Sequence, residues 1–524
     1  MRLPYIDFKI RRETRGTSTF LGLNQQILAK DGEFADMKNI SDRFFPCSAS
    51  RQTRGSVQQT LKKPKALAYK NGLFYIDGTE AFYKESKKFD VSDTPKTVVG
   101  MGAYLCVFPD GILYNTNDGS IDHIVAEYKQ TSAITFAPLS AKSAYTKITA
   151  TGIEKTFKKG DAVTISGCTN DNYNSTKIIT DIGTNYIVVT GALDKDFSQA
   201  SGLTFKRMMP EMDFIIERDN RLWGCSSKNH EIYCCKIGDP RNWHNYEGGA
   251  DSAYAATVGS DGDFTGVAKI ANYILFMKEN TVHILRGDKP ANFSLTEADF
   301  HGIKRGCDRS VQNIEGTLYY VGVDGVYAYN GAFPNKISGN ITEAITEAVA
   351  SQYKGRYYLS CKLNGNRRLL VYNPKTNVWV KEDNTVFKYA EEHDNTMTYI
   401  SGLNELRDIY GGSEEVIEWS LESADIHEDI LNEKYVAKIK VNLWLAIGSE
   451  VNVFIKTDDE PMWHKKGYIR STKNKTYTIP IIPTRCSKYR IKLEGRGQFK
   501  LLALAREIEQ GSDMNGSLQW QYRR

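Results

Sequence analysis

Short apolar and aromatic runs, each broken by a turn of Gly, Asn or Asp and followed by a second short run, recur along most of this chain. The cleanest copies lie at 70–79, around Leu73-Phe74-Tyr75-Ile76, and at 315–329, around Leu318-Tyr319-Tyr320-Val321 and Val326-Tyr327-Ala328-Tyr329. Looser copies surround Val107 to Tyr114, Asn220 to Gly224, Asn272 to Phe276 and Lys354 to Tyr358. Runs of this length and composition between turn residues predict β-hairpins. Hairpins repeated at a spacing of tens of residues predict a radial array of small sheets, a β-propeller of about six blades.

The pattern changes twice. Over 128–208, Thr, Ile and Val alternate with polar residues, as in Ala162-Val163-Thr164-Ile165 and Tyr186-Ile187-Val188-Val189. This stretch predicts a small β-barrel inserted into the propeller, and a surface loop accepts such an insertion at little entropic cost. Over 413–510, runs such as Lys438 to Trp444 and Val451 to Ile455 alternate with period two and predict a β-sandwich with one buried face per strand. Pro480 and Pro483 around Ile481-Ile482 suit an edge strand.

The expected organisation is therefore an extended arm over 1–60, propeller segments over 61–127 and 209–412 on either side of the barrel at 128–208, a sandwich over 413–510, and a polar tail over 511–524. The fold class is all-β. One helix is predicted within it: Ile341, Ile345 and Val349 share a helical face, with Asn340 as N-cap and Glu343 in the capping-box position. Tyr372-Asn373-Pro374 to Trp379 resembles the end of a kelch-type blade, where a Trp packs between sheets. Trp223, Trp243 and Trp379, each beside a turn, are expected to be buried packing residues.

Composition adds limits. With 524 residues, 41% hydrophobic and 25% charged, the chain is of ordinary globular character and long enough for several domains. No apolar run reaches the length of a membrane-spanning helix, and the N-terminus lacks a signal-peptide core, so the chain is expected to stay in the cytoplasm where it is made unless it is assembled into something that leaves. The nine cysteines are scattered without a C-x-x-C pair, and several sit in apolar runs as small hydrophobes, so buried thiols are expected rather than a metal site or disulfides.

Charge is uneven. The first 70 residues hold 14 Lys and Arg against 6 Asp and Glu, an excess of +8, which leaves −3 for the remainder of a chain of net charge +5. Arg11, Arg12 and Arg15 form one group, and Arg51, Arg54, Lys62, Lys63 and Lys65 a second. Guanidinium groups pair with carboxylates and phosphates. Aromatic residues suited to stacking single-stranded bases are sparse here, which favours protein docking over base reading. Arg11, Arg12, Arg15, Arg51, Arg54, Lys62 and Lys63 are thus candidate assembly residues.

Candidate chemistry is thin. The G-x-S-x-G, H-E-x-x-H, phosphate-loop and dinucleotide patterns are absent. His230 beside Glu231, Asp261-Gly262-Asp263 and Asp458-Asp459-Glu460 lack the spacing of a catalytic or calcium site and are expected to be solvated turns. The expectation is no enzyme, no cofactor and no metal. A glycosidase requires two carboxylates across a cleft, which a sequence cannot place.

Three groups of residues carry a resemblance. The first is Phe20 to Asn24, Gly32 to Ser41, Phe45-Pro46 and Arg51 to Gly55. The second is Asp219 to Gly224 with Glu231 to Tyr233 and Gly238-Asp239-Pro240-Arg241-Asn242-Trp243. The third is Asn280 to Gly287. Together they resemble tail proteins of bacteriophages of Gram-positive hosts, similar to the packaged-DNA stabilisation proteins and tail nozzles of short-tailed phages. The resemblance covers most of 15–410. It implies a virion tail protein, present as a ring of about six copies below the portal and adaptor, continuing the channel for double-stranded DNA, retaining the genome, and anchoring fibre or needle proteins. The alternative is a receptor- or glycan-binding tail protein, with or without glycan cleavage; a cellular propeller scaffold is a third class.

Overall fold

A computed structural model describes residues 12–510 except 28, 414–415, 429–432 and 483. Arg11, Pro483 and the tail over 511–524 lie outside the described residues. The regular secondary structure of the described chain is almost entirely strand, with a few single-turn 3₁₀ segments and no α-helix. It forms two compact units: one of 1–60, 324–327 and 335–524, the other of 61–323 and 328–334.

The second unit opens with four antiparallel strands in chain order, Pro64–Tyr69, Leu73–Asp77, Glu80–Tyr83 and Ser86–Asp90. The same meander recurs over Thr97–His123, Phe214–Thr257 and Gly266–Ala298. The turns explain the pattern. Arg218 pairs with Arg221 across Asp219 and Asn220, at φ 54° and 57°, and Ile314 pairs with Thr317 across Glu315 and Gly316, at φ 50° and 83°. Two consecutive left-handed residues make the tight hairpin whose twist matches that of its strands.

Eight strands from Ala126–Lys129 to Thr204–Arg207 form one sheet that takes no strand from outside the segment. They enclose a core of Ile134, Phe136, Ile148, Val163, Ile165, Ile187, Val189 and Phe205, each almost fully buried. Buried contacts tie this segment to the rest of its unit: Arg207 Nε donates to the Ile124 carbonyl at 2.9 Å and the Ala162 N–H donates to Asn242 Oδ1 at 3.0 Å, while Arg207 holds Asp161 at 2.5 Å within the segment. The Gly238 to Trp243 phrase thus acts as a clamp: Asn242 also donates to Asp239, and Trp243 Nε1 donates to the Pro240 carbonyl at 2.9 Å.

In the first unit, meanders cover Ile345–Lys381 and Phe387–Asp408, and the last is completed by Val57–Thr60 on Glu405–Asp408. Two larger sheets follow. One contains Lys434–Leu445, Phe499–Gln510 and Lys475–Pro480, together with Arg12–Thr17, Ile40–Ser41 and Ser48–Ser50. The other contains Glu418–Ser423, Tyr489–Arg496, Glu450–Thr457 and His464–Ile469, together with Gly22–Leu23 and Glu33–Lys38. Trp419 of one stacks on Phe499 of the other. Both sheets of the 413–510 region therefore take strands from the arm. The edge strand expected around Ile481-Ile482 does not form there: the strand that ends this sheet is Lys475–Pro480, and Ile481 and Ile482 lie beyond it, outside any strand.

The predicted helix at 340–349 is corrected to a strand, Ile345–Tyr353, paired with Arg356–Leu363. Its register slips between Thr346 and Val349, and Glu347 takes φ 48°. This β-bulge turns Ala348, and not Val349, to the buried face with Ile345, and Ile341 precedes the strand, so the three residues spaced like a helical face share none. The supposed capping residues serve the arm: the Gln25 N–H donates to the Asn340 carbonyl at 2.8 Å, and Gln25 Nε2 to Glu343 at 3.2 Å. Trp223, Trp243 and Trp379 are all buried, and eight of the nine cysteines are buried free thiols, Cys47 being partly exposed. No helix among the described residues is long and apolar enough to cross a membrane.

Candidate functional site

The basic residues singled out in the sequence do not form one surface. Lys62 and Lys63 belong to the second unit, where their backbone N–H groups bond the Asp77 carboxylate and Lys63 Nζ pairs with Asp93 at 2.9 Å. Arg12 is solvent-facing and pairs with Glu509 at 2.7 Å. Arg15, Arg51 and Arg54 turn inward and build two clusters within the first unit.

The first cluster ties the segment after Ser48–Ser50 to the end of the Ile345–Lys381 meander. Arg51 Nε donates to Asn39 Oδ1 at 2.7 Å and faces Asp383 at 3.2 Å. Arg54 Nη2 reaches Glu382 at 2.7 Å and Asp383 at 2.9 Å, and its guanidinium lies over the Tyr410 ring. Tyr410 donates to Glu382, and the Tyr358 and Tyr410 hydroxyls are 3.2 Å apart. Burial pushes Glu382 above the usual carboxylate range against the opposing charge of Arg54. Burial acts on Asp383 in the same direction, but the Arg54 charge and hydrogen bond outweigh it and hold Asp383 well below that range. Neighbouring carboxylates with affinities driven apart are a pattern found at acid–base sites. Here the side chains spend their polar atoms on one another, and the cluster works as a lock.

The second cluster lines a cavity of about 560 Å³. Its walls come from Arg15 and Thr17, the 29–34 turn, the 423–428 segment, Ile491, Leu504 and Arg506. Arg506 grips Glu428 with two nitrogens, Nε to Oε1 at 2.6 Å and Nη2 to Oε2 at 3.0 Å, and Nη2 also reaches Asp31 at 2.8 Å. Tyr489 donates to Glu428, and Arg15 Nη1 lies 3.5 Å from Glu428 Oε2 and donates to the Glu428 carbonyl. Glu428 itself sits at φ 60°, a conformation costly for a residue with a Cβ. Burial alone would raise the Glu428 carboxyl; hydrogen bonds from Arg506 and Tyr489 and the Arg506 charge hold it low. Glu428 is therefore an ionised acceptor at neutral pH and not a proton donor. A cavity of this volume takes a small ligand, and this lining offers carboxylate acceptors and guanidinium donors in near balance, beside the Phe20 and Phe34 rings.

Sequence reading found Arg15, Arg51 and Arg54 but missed their partners. Glu428 is 413 positions from Arg15 and 78 from Arg506, and no periodicity joins them. The one local signal is Asp31-Gly32, a turn with Gly32 at φ 92° pressed against the Thr19 carbonyl. Among the described residues, no group of His, Cys, Asp and Glu is placed to hold a metal ion.

No family model and no curated protein matches the chain. Solved structures similar to it include BamB from Moraxella catarrhalis (9% identity, 73% of this chain and 98% of that one, TM-score 0.33). A second is a phage phi92 endosialidase (10% identity, 76% of each chain, TM-score 0.26). A third is an exo-β-1,3-galactanase from Phanerochaete chrysosporium (8% identity, 56% of this chain and 94% of that one, TM-score 0.22). The expectation that the chain is not an enzyme is corrected here: an endosialidase and glycoside hydrolases stand among the matching structures, so missing motifs do not exclude catalysis. At these identities and scores, none of the likenesses assigns an activity or a substrate to this chain.

Proposed function

We propose that the chain is a tail protein of a bacteriophage virion, built as a β-propeller platform and placed in a ring at the head-to-tail junction, where it lines the path of the DNA. The observation that carries this reading is the way the chain closes on itself: Val57–Thr60 supplies the last strand of the Phe387–Asp408 meander, and residues before it enter both sheets of the C-terminal region. Closure by an N-terminal strand removes a free sheet edge and suits a platform under mechanical load. Runs of four short strands in chain order, including those over 312–336, support seven blades rather than about six. The single enclosed core of the 126–207 segment supports the inserted barrel. The phrases at 15–55, 219–243 and 280–287 support the tail assignment by resemblance.

A second reading, glycan engagement by the same tail protein, is favoured by the cavity at Glu428, whose balanced acceptors and donors match a polyhydroxylated ligand. Electron microscopy of virions carrying an affinity tag on this chain separates the two. Label in a ring on the tail axis next to the capsid is the expected result. Label on peripheral spikes, with binding or cleavage of host wall polysaccharide by the purified chain, would replace the ring reading with the glycan one.

A further inference from the structure

Strand Arg12–Thr17 is held in an unusual way. All six residues pair antiparallel with Phe499–Gln510, from Arg12 opposite Glu509 to Thr17 opposite Leu504. Yet the strand buries no apolar side chain: its sequence is Arg-Glu-Thr-Arg-Gly-Thr, and four of the six residues are exposed. Beyond the backbone ladder, what fixes it is charge. Arg12 meets Glu509, and Arg15 reaches Glu428 in the cavity. Gly16 lets the two backbones approach, since a Cβ there would stand 2.4 Å from that of Ala505.

The hinge behind this strand is short. Phe20 is buried, with its N–H bonded to the Pro46 carbonyl, so Ser18 and Thr19 are all that separates strand from anchor. Thr17 and Thr19 close this link on themselves, the Thr19 N–H donating to Thr17 Oγ1 and that hydroxyl donating to the Thr19 carbonyl. A short constrained hinge next to a strand with no core of its own is the setting in which an element passes to a second copy. Each contact made within the chain is available unchanged between chains, and the strand's arginines complement Glu428 and Glu509 on whichever copy receives it.

We propose that Arg12–Thr17 is exchanged between copies of this protein, each chain laying its strand along Phe499–Gln510 of a neighbour. Arg15 then completes the neighbour's cavity in trans, so the site around Glu428 is whole only in the assembled protein. The inference needs association of copies and no particular ligand or virion position.

Cysteine pairing tests it. Thr14 and Glu507 face each other across the two strands, and directly opposed strand residues lie within the Cα spacing a disulfide spans. A chain carrying Thr14→Cys and a differently tagged chain carrying Glu507→Cys are co-expressed and purified as the assembled full-length protein, then oxidised mildly. Each single variant alone controls for the native thiols. The expected result is a disulfide joining unlike chains in most of the assembly, and the same from the pair Arg12→Cys and Glu509→Cys should either Thr14 or Glu507 variant fold poorly. Three results would overturn the proposal: no band between unlike chains from either pair, cross-linking only within one chain when both cysteines are placed in it, or a protein that stays monomeric at about 100 μM.

Discussion

The segment at 126–207 and the arm at 12–60 solve the same problem by different means. The first carries its own core, with Phe136, Val163, Ile187 and Phe205 enclosed by strands from within one segment. Its buried ion pair is Asp161–Arg207, while Lys129 and Lys206 meet Glu127 at the surface. The arm has strands of two to six residues and no core of its own. Phe20, Leu23, Phe34, Met37 and Ile40 are buried within a unit whose other residues start at 324, and four arginines, Arg12, Arg15, Arg51 and Arg54, run to carboxylates hundreds of positions away. A segment that is polar and broken in sequence is thus fully structured when its partners are distant. Low local hydrophobicity predicts absence of an independent core, not absence of structure.

If the arm rests on buried charge, removing one partner has the largest effect. Arg54→Ala leaves Glu382 and Asp383 buried without their main counter-charge, and breaking a buried pair costs about 3–5 kcal/mol. Urea unfolding that shows a loss below about 1 kcal/mol would mean that backbone pairing alone fixes the arm. The matching change in the 126–207 segment is Phe136→Ala. This side chain is fully buried and stacked on Phe197 at 4.6 Å, so a loss of about 3–4 kcal/mol is expected, confined to that segment in hydrogen exchange. Protection lost equally at 12–60 would break the distinction drawn here.

How much could be read in advance follows the same division. The hairpins at 69–73 and 314–317 were legible because the turn residues and the alternation lie within ten positions of each other. The helix at 340–349 is a misreading because the four-residue spacing of Ile341, Ile345 and Val349 fits a helix, whereas Ile341 precedes the strand and the bulge at Glu347 turns Val349 off the buried face, which only the partner strand reveals. At the candidate site, Arg15 was visible as a charge, but Glu428, Asp31 and Arg506 were not, since a buried ion pair has no period and its members are ordinary surface residues until the chain folds.

A pH titration sharpens the contrast. Glu428 is held below its ordinary value in the folded chain, so the folded state binds fewer protons than the unfolded one in weak acid. Its contribution is complete above the unfolded carboxyl value, about 4.3, and is lost as pH falls through the lower folded value. Glu428→Gln should therefore flatten the acid limb of stability below that pH for the arm's unit. Glu391, in the strand Phe387–His393, runs the other way: burial, then the neighbouring Glu392, push it up to about 7. Its contribution is complete in acid and declines as pH rises toward 7, so Glu391→Gln should remove a loss of stability between about pH 4.3 and 7. Parallel curves for wild type and both variants would refute these assignments.

The smallest effect belongs to Arg12, and it tests whether the arm's anchoring is a matter of burial or merely of charge. Arg12 and Arg15 lie three residues apart on one strand, and each meets a carboxylate. The Arg12 side chain is 58% exposed and meets Glu509, itself 15% exposed, from the solvent side, whereas Arg15 reaches the fully buried carboxylate of Glu428. A pair whose cation stays in solvent gains little from Coulomb attraction and pays side-chain entropy to hold its geometry, leaving about 0.2–1 kcal/mol, and less in salt. Arg12→Ala should therefore lower stability by about 0.5 kcal/mol at most at 0.15 M salt, while Arg15→Ala, which strips a donor from a buried acceptor, should cost about 1–3 kcal/mol. Combining Arg12→Ala with Glu509→Ala should give an interaction energy that disappears when salt is raised to 1 M. An Arg12 effect as large as that of Arg15, and insensitive to salt, would show that position along the strand sets the anchoring and that burial does not.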